Sequence, residues 1–558
     1  MASRLSYMID SPFTTQPLIE VTTVGDLLLG AARQWPNNQL LHVDEHCISY
    51  VEMSDRAITK ARALQGMGVK AGDHVGILAP NLVEVIEMLF AISLSGAVGV
   101  LLNARYKATE LTYVIENADL KWLFTTDRAS EHVSYIQLLY DALDGLSTAE
   151  DPFSLSLPSA PKLNGIVLME QTSPRGFLND GQFQQFATLV TQQDAWRRRS
   201  EVKLSDPCLM MYTSGTTSLP KGCRISHESL VRTAIGAASR FTLTEDDRMW
   251  NPLPMFHMGF ILPFLAMLYR GGHSISSIHF EAGASINVIE KENVSFLFVA
   301  FPTIMSALLN HQNFSLDKFA KVRLINNVGA PDQLKNNMTA IPNAVHVTAY
   351  GSTEVSGVVG FSHPEDNSDI RAHRAGRPFA GIRVKIVNPE TAQEVVPEEH
   401  GEIIVAGYSV FEGYYKSPEK DAEAFDEDGW FHTGDIGSMD TLGRIAYHGR
   451  LKDMLKVGGE NVAAVEIESY LSKHPAVALV QVVGVPDDKL LEVAAAFVEL
   501  KPGVRCTEEE LIGFCKNQIA SFKVPRYIRF VDEWPMSSTK IQKYRLRDDL
   551  VDELAPNR

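Results

Sequence analysis

YTSGTTSLPKG, from Tyr212 to Gly222, follows the apolar run Cys208-Leu209-Met210-Met211, which reads as a buried strand, and precedes a stretch of helical periodicity from about His227 to Phe241. Strand, small polar loop and helix in that order predict a phosphate site. Gly215 and Gly222 let the backbone approach an anion, Thr213, Ser214, Thr216 and Thr217 supply hydroxyl donors, and Lys221 supplies a positive charge. The Walker A pattern does not apply, because it needs Gly before the lysine and Ser or Thr after it, whereas Lys221 lies between Pro220 and Gly222. A surface turn can have the same composition, so the surrounding sequence has to decide.

Upstream, HVGIL (74–78), VGVLL (98–102), WLFTT (122–126) and GIVLM (165–169) read as short strands. A helix from its expected cap Asn81 to about Ser95 is apolar almost all round and should be buried. Residues 127–164 and 171–206 carry few strand signals and read as peripheral helices and loops. Downstream, helices near 259–270 and 283–291 and one opened by Pro302 alternate with HSISS (273–277), FLFVA (296–300), RLINNVG (323–329) and HVTAY (346–350). This alternation predicts parallel sheets covered on both faces.

From about 370 the texture becomes strands without helices: RVKIV (383–387), GEIIVAG (401–407) and RIAYHGR (444–450). They predict an antiparallel subdomain, with a distorted barrel as one form. A third texture begins near Leu451, with a helix over about 465–473, strands ALVQVVGV (478–485) and EVAAAFVEL (492–500), a helix opened by the capping box Thr507/Glu510, and a last strand YIRFVDEW (527–534). The expected fold is α/β. A large N-terminal domain over 1–451, of parallel sheets flanked by helices, includes the β-rich subdomain at about 370–450, and a small α/β domain covers 452–558.

The 558 residues carry 51 basic and 68 acidic side chains, a net charge of −17, which argues against nucleic acid as the main partner. Cys47, Cys208, Cys223, Cys506 and Cys515 include no C-x-x-C pair and suggest neither a zinc site nor a disulfide framework. The start MASRLSYMIDSPFTTQP has no apolar signal region, and the longest apolar run, Met258 to Tyr269, is too short to span a membrane. A cytoplasmic location is expected.

The opening loop occurs together with TAYGSTEVSG (348–357), GWFHTGDIG (429–437), GRLKDMLKVGGENV (449–462) and STKIQKYRLR (538–547). In this order and spacing, covering about 20–550, the five motifs resemble the acyl-adenylate-forming (AMP-binding) superfamily, and specifically its acyl-CoA synthetases. The resemblance implies an AMP-forming carboxylic acid–CoA ligase using ATP, Mg2+ and coenzyme A. A carboxylate attacks the α-phosphate of ATP to give an acyl-adenylate and pyrophosphate, and the coenzyme A thiol then displaces AMP. By position, Thr213, Ser214, Gly215, Thr216, Thr217 and Lys221 match the loop around the β- and γ-phosphates, and Gly329, Ala330 and Pro331 match the adenine-side turn. Tyr350 and Gly351 begin the motif in which Tyr350 stacks on adenine, Thr353 donates to the α-phosphate and Glu354 holds magnesium. Asp435 and Arg450 match the pair that binds the ribose hydroxyls.

Lys452 matches the hinge on which the small domain moves between half-reactions. Gly458 and Gly459 match the loop that turns in for the thioester step, and Lys540 matches the lysine bridging the substrate carboxylate and the α-phosphate. Ser218 and Thr539 stand where the family usually has glycine, and a Cβ held in a left-handed conformation there costs ~1–2 kcal/mol.

The acyl pocket is expected from Phe256, Gly259, Ala300, Gly351 and Gly357, whose mostly small side chains predict a roomy apolar cavity. Gly351 stands where acetate-specific relatives place a tryptophan. An acid larger than acetate is expected: medium- or long-chain, aryl, alicyclic or steroid side-chain. His257 matches a histidine near the carboxylate and thiol, against the competing reading of a satisfied core histidine. A luciferase-like oxygenase, a carrier-protein-directed adenylation enzyme and a nucleotide-binding relative with little activity stay open, as does a homodimer.

Overall fold

The strands Val98–Leu101, Trp122–Thr125 and Gly165–Leu168 are buried at every position, as strands covered on both faces must be. The computed structural model describes residues 22–128, 133–213, 220–451, 454–457, 460–487, 489–536 and 541–554. Two seven-stranded sheets make the body. One runs in the order Val345–Val347, Leu324–Asn327, Phe296–Ala300, Arg248–Trp250, His273–Ser276, Gln39–Val43, His46–Ser49, parallel except for the last pair. The other runs Phe177–Asn179, Gly165–Leu168, Trp122–Thr125, His74–Leu78, Val98–Leu101, Pro207–Thr213, Lys221–Ser226, again antiparallel only at its last pair. Each sheet therefore ends in a hairpin.

The helix Val83–Ser95 is buried at every position but Glu84, as its all-round apolar pattern predicts. Asn81 does not cap it. The cap residue is Leu82, while the Asn81 carboxamide turns inward, donating to Leu253 O (2.9 Å) and Ser276 Oγ (3.1 Å) and accepting from Met255 N (2.8 Å). One buried amide thus joins the two sheets and fixes the backbone that leads to Phe256 and His257.

Four other expectations change. The phosphate loop does not run directly into a helix: Lys221–Ser226 returns antiparallel to Pro207–Thr213 before the helix His227–Arg240, because Gly222, Cys223, Ile225 and Ser226 are buried and the strand is covered by 411–415. HVTAY is broken at Thr348, where the chain leaves the large sheet and Ala349–Tyr350 pairs with Gly360–Phe361. The β-rich region is an open antiparallel meander, Ile382–Val387, Gly401–Gly407, Phe431–Met439 and Ile445–Arg450, with the short helices Ser368–His373 and Pro418–Ala424 around it. Phe177–Asn179 likewise adds an edge strand to a region read as helices and loops.

Beyond 453 the strands Met454–Val457, Glu460–Ala463, Val477–Asp487, Leu491–Leu500 and Tyr527–Phe530 form a separate sheet with its own apolar cluster, flanked by Ala464–Leu471, Glu508–Cys515 and Lys543–Leu554. The Thr507 capping box is present. The five cysteines are unpaired. Among the described residues, no helix is long and apolar enough to cross a membrane.

Two buried histidines sit at element junctions. His227 Nδ1 accepts from Val24 N (3.1 Å), and His346 Nδ1 accepts from Asn327 Nδ2 (3.2 Å) while Nε2 donates to Ile341 O (3.0 Å). Burial lowers each pKa from 6.5 to about 4. Because the folded pKa is depressed, their contribution is complete above 6.5 and is lost as pH falls towards 4, on the order of 3 kcal/mol each. The thermal midpoint should therefore fall steeply between pH 6.5 and 4, and less steeply in His227→Gln.

Candidate active site

The loop from Tyr350 to Val359 is wound so tightly that a Cβ at Gly351 would collide with Gly357 O and Val358 Cα. Gly357 N donates to Ser352 O (2.9 Å) and Val359 N to Tyr350 O (2.8 Å), around the turn Thr353–Val355 with Ser356 at φ 56° and Gly357 at φ 101°. Glycine at 351 is thus demanded by backbone approach, and its small size does not measure pocket depth. The winding sends Tyr350 to one side and Glu354 to the other.

On the Tyr350 side, its hydroxyl donates to Asp435 Oδ2 (2.9 Å), and Arg450 Nε lies 2.8 Å from Asp435 Oδ1. Asp435 and Arg450 are direct cross-strand partners. A bulge then places Tyr447 opposite Gly437, with Gly449 at φ 131°, so that Tyr447 and Arg450 share the face of Asp435. Tyr350 is only 6% exposed and its ring stacks on Tyr447, 45% exposed, at 5.9 Å. Burial and Asp435 raise the Tyr350 pKa, which keeps the phenol a donor. Burial works against the charge on Arg450, but Asp435, Tyr447 and Glu354 outweigh it and its pKa is raised.

On the other side, Tyr414 Oη donates to Glu354 Oε1 (3.1 Å), and Lys221 Nζ sits 3.9 Å from the centre of the Tyr414 ring. Tyr414 is carried by 411–415, which pairs with the returning strand: Tyr415 N donates to Gly222 O (2.8 Å) and Glu412 N to Arg224 O (3.0 Å). Thr213 is the cross-strand partner of Lys221. Ser214, Gly215, Thr216, Thr217, Ser218, Lys452, Gly458, Gly459, Thr539 and Lys540 lie outside the described residues.

Several of the residues expected to line the acyl pocket lie at or just beyond the carboxyl ends of parallel strands, where open α/β sheets hold ligands. His257 caps the helix Met258–Arg270, its Nδ1 accepting from Gly259 N (3.0 Å), and its ring meets Phe301 edge-on at 5.9 Å. A Cβ at Gly259 would press on Leu253 and His257, so this glycine serves the cap. Ala300 ends its strand at φ 49°, and the missing Cβ of Gly357 faces Met258 Cε and Leu262. Phe256 is partly buried against the two large apolar clusters. Gly329 borders Pro302 and Gln333, while Ala330 and Pro331 open the helix Pro331–Ala340. Asp332 of that helix meets Ser469 (3.2 Å) and Lys473 (3.4 Å) of the small domain. Tyr414 and Tyr447 were missed from sequence. The only signal for Tyr447 is its place in the strand of Arg450, and Tyr414 carries none.

Removing the Tyr350 hydroxyl leaves Asp435 one donor short. A hydrogen bond to a charged group contributes roughly 1.5–3 kcal/mol, so Tyr350→Phe should weaken ATP binding by about 10- to 100-fold with an unchanged circular dichroism spectrum. Binding within twofold of the parent would detach this bond from the nucleotide.

Comparison with known proteins adds independent findings. The family described as AMP-binding enzyme matches residues 29–415, and the AMP-binding enzyme C-terminal domain matches 466–540. A putative acyl-CoA synthetase, YngI, of Bacillus subtilis (strain 168) is 35% identical over 95% of this chain and 97% of its own. A mitochondrial medium-chain acyl-CoA ligase, ACSF2, of Rattus norvegicus is 31% identical over 95% of this chain and 88% of its own. Among solved structures, the anthranilate CoA ligase AuaEII in complex with anthranoyl-AMP superposes with a TM-score of 0.81 at 25% identity, covering 97% of this chain and 99% of that one.

Proposed function

Because the chain belongs to the AMP-binding enzyme family, in its acyl-CoA synthetase branch, we propose that it joins a medium-chain fatty acid to coenzyme A through an acyl-adenylate, at the site assembled around Tyr350 and Glu354. The class of reaction is that of an AMP-forming acid–thiol ligase that consumes ATP and coenzyme A, acting on an acid larger than acetate. The observation that carries the site is that one short loop holds Asp435 through Tyr350 at its start and carries Glu354 at its middle, with Lys221 reached through Tyr414. A carboxylate that accepts from a diol and a lysine beside a second carboxylate suit the two ends of a nucleoside triphosphate.

In this reading Asp435 and Arg450 take the ribose, Thr213 to Thr217 and Lys221 take the departing pyrophosphate, and Thr353 donates to the α-phosphate. Tyr350 anchors Asp435, with Tyr447 as the more exposed aromatic neighbour. Glu354 fits a hard cation, since among the described residues only Tyr414 hydrogen-bonds to its carboxylate. Glu354 would hold Mg2+, which would there neutralise phosphate charge. Lys540 bridges the attacking carboxylate and the α-phosphate, Lys452 is the hinge between domains at 1–451 and 452–558, and Gly458 and Gly459 admit the coenzyme A arm. His257, anchored by its cap, stands beside Phe301 where the acyl chain enters. Met258, Leu262 and Phe301 supply an apolar wall, and ACSF2, named as a medium-chain ligase, supports a chain of that size. The unpaired cysteines support a reducing compartment such as the cytoplasm.

The test is pyrophosphate release with ATP and Mg2+ from acetate, octanoate, palmitate and benzoate, with and without coenzyme A. Octanoate should give the highest turnover, and acyl-CoA should form only with coenzyme A. Lys540→Ala should lose on the order of 10²-fold or more in carboxylate-dependent ATP–pyrophosphate exchange. A preference for acetate, or near-normal exchange in the variant, would overturn the corresponding assignment.

A further inference from the structure

The hairpin edge of the first large sheet carries a second cluster of chemistry-bearing side chains. The strands Gln39–Val43, His46–Ser49 and His273–Ser276 are neighbours there, and the register sets His42 opposite both Cys47 and Ile275. His273, two residues before Ile275, falls on the same face. His42, Cys47 and His273 each bring one ligand atom to within 4.8 Å of the others.

His273 is 7% exposed, and among the described residues neither Nδ1 nor Nε2 has a hydrogen-bond partner. Leaving both nitrogens of a buried imidazole unsatisfied is costly, and such a group calls for an explanation. Burial favours the neutral ring, which carries a lone pair. The His42 ring lies nearly parallel to it, at 6.1 Å and 14°. Cys47 is exposed, its thiol donating to Gln39 Oε1 at 3.0 Å. Glu292 Oε1 lies 3.9 Å from His42 Nδ1, while Oε2 pairs with Arg248.

We infer that His42, Cys47 and His273 bind one Zn2+ or similar borderline-soft divalent cation, with Glu292 as the oxygen donor beside them. Two imidazoles and a thiolate are the donor set such ions select, and ligand distances of about 2.0–2.3 Å require the three atoms to draw together modestly. The exposed Cys47 supplies the movement. Its thiol gives its proton to water, its sulfur exchanges the Gln39 hydrogen bond for a bond to the metal, and the imidazoles contribute lone pairs. No electron is transferred. The bound ion would link the edge strand to the third strand inward, on the opposite half of the sheet from the strand ends at Ala300 and Gly329.

Full-length protein stripped of metal should bind one equivalent of Co2+ with a thiolate-to-cobalt charge-transfer band in the near ultraviolet, displaced by Zn2+. Cys47→Ser should abolish the band, and both it and His42→Ala should weaken Zn2+ binding by at least the roughly 10- to 100-fold that even supporting residues of metal sites contribute. Cys506→Ser should leave the band intact. A missing band at one equivalent, or one that survives Cys47→Ser, would overturn the site.

Discussion

The close approach of Gly351 to the backbone of Gly357 and Val358 is the constraint on which the site depends. It turns the chain through a short 3-10 segment and points Tyr350 and Glu354 at different neighbours. Each of those neighbours comes from a separate part of the fold. Asp435 and Arg450 come from the antiparallel meander, and Tyr414 comes from the segment that zips onto Lys221–Ser226. One tight loop therefore brings the edge of one large sheet and the face of the meander to a common point.

The supporting contacts show how such a site is kept in place. Asp435 N donates to Thr433 Oγ1, whose hydroxyl donates to Ile403 O, and Gly434 N donates to Glu402 Oε1. These bonds fix the strand before its carboxylate meets any ligand, which is the preorganisation that makes electrostatic stabilisation effective. The contacts of Asp332 with Ser469 and Lys473 join the helix Pro331–Ala340 to the small C-terminal domain.

The fold class, the two textures beyond about 370 and the buried helix Val83–Ser95 were legible in the sequence because each rests on local periodicity. The return strand after the phosphate loop was not, because it is stabilised by a segment nearly two hundred residues later. Asn81 resembles a cap because its residue type favours caps, but three buried partners, one in the other sheet and two in the loop that leaves it, outcompete that local role. Among site residues, those inside motifs could be named, whereas Tyr414 and Tyr447 become visible only through pairing and a bulge. Gly351 was noticed for its size, and the structure gives that size a different cause. The His42, Cys47 and His273 group was invisible to a reading of cysteine spacing, since sheet register alone assembles it.

The central claim is that a carboxylate oxygen bonds to the α-phosphate, and oxygen labelling follows that bond directly. With 18O in the carboxylate of octanoate, one turnover in the presence of ATP, Mg2+ and coenzyme A should deliver one labelled oxygen to AMP and none to pyrophosphate. Formation of ADP with label in inorganic phosphate, or acyl-CoA formed with unlabelled AMP, would refute the acyl-adenylate route.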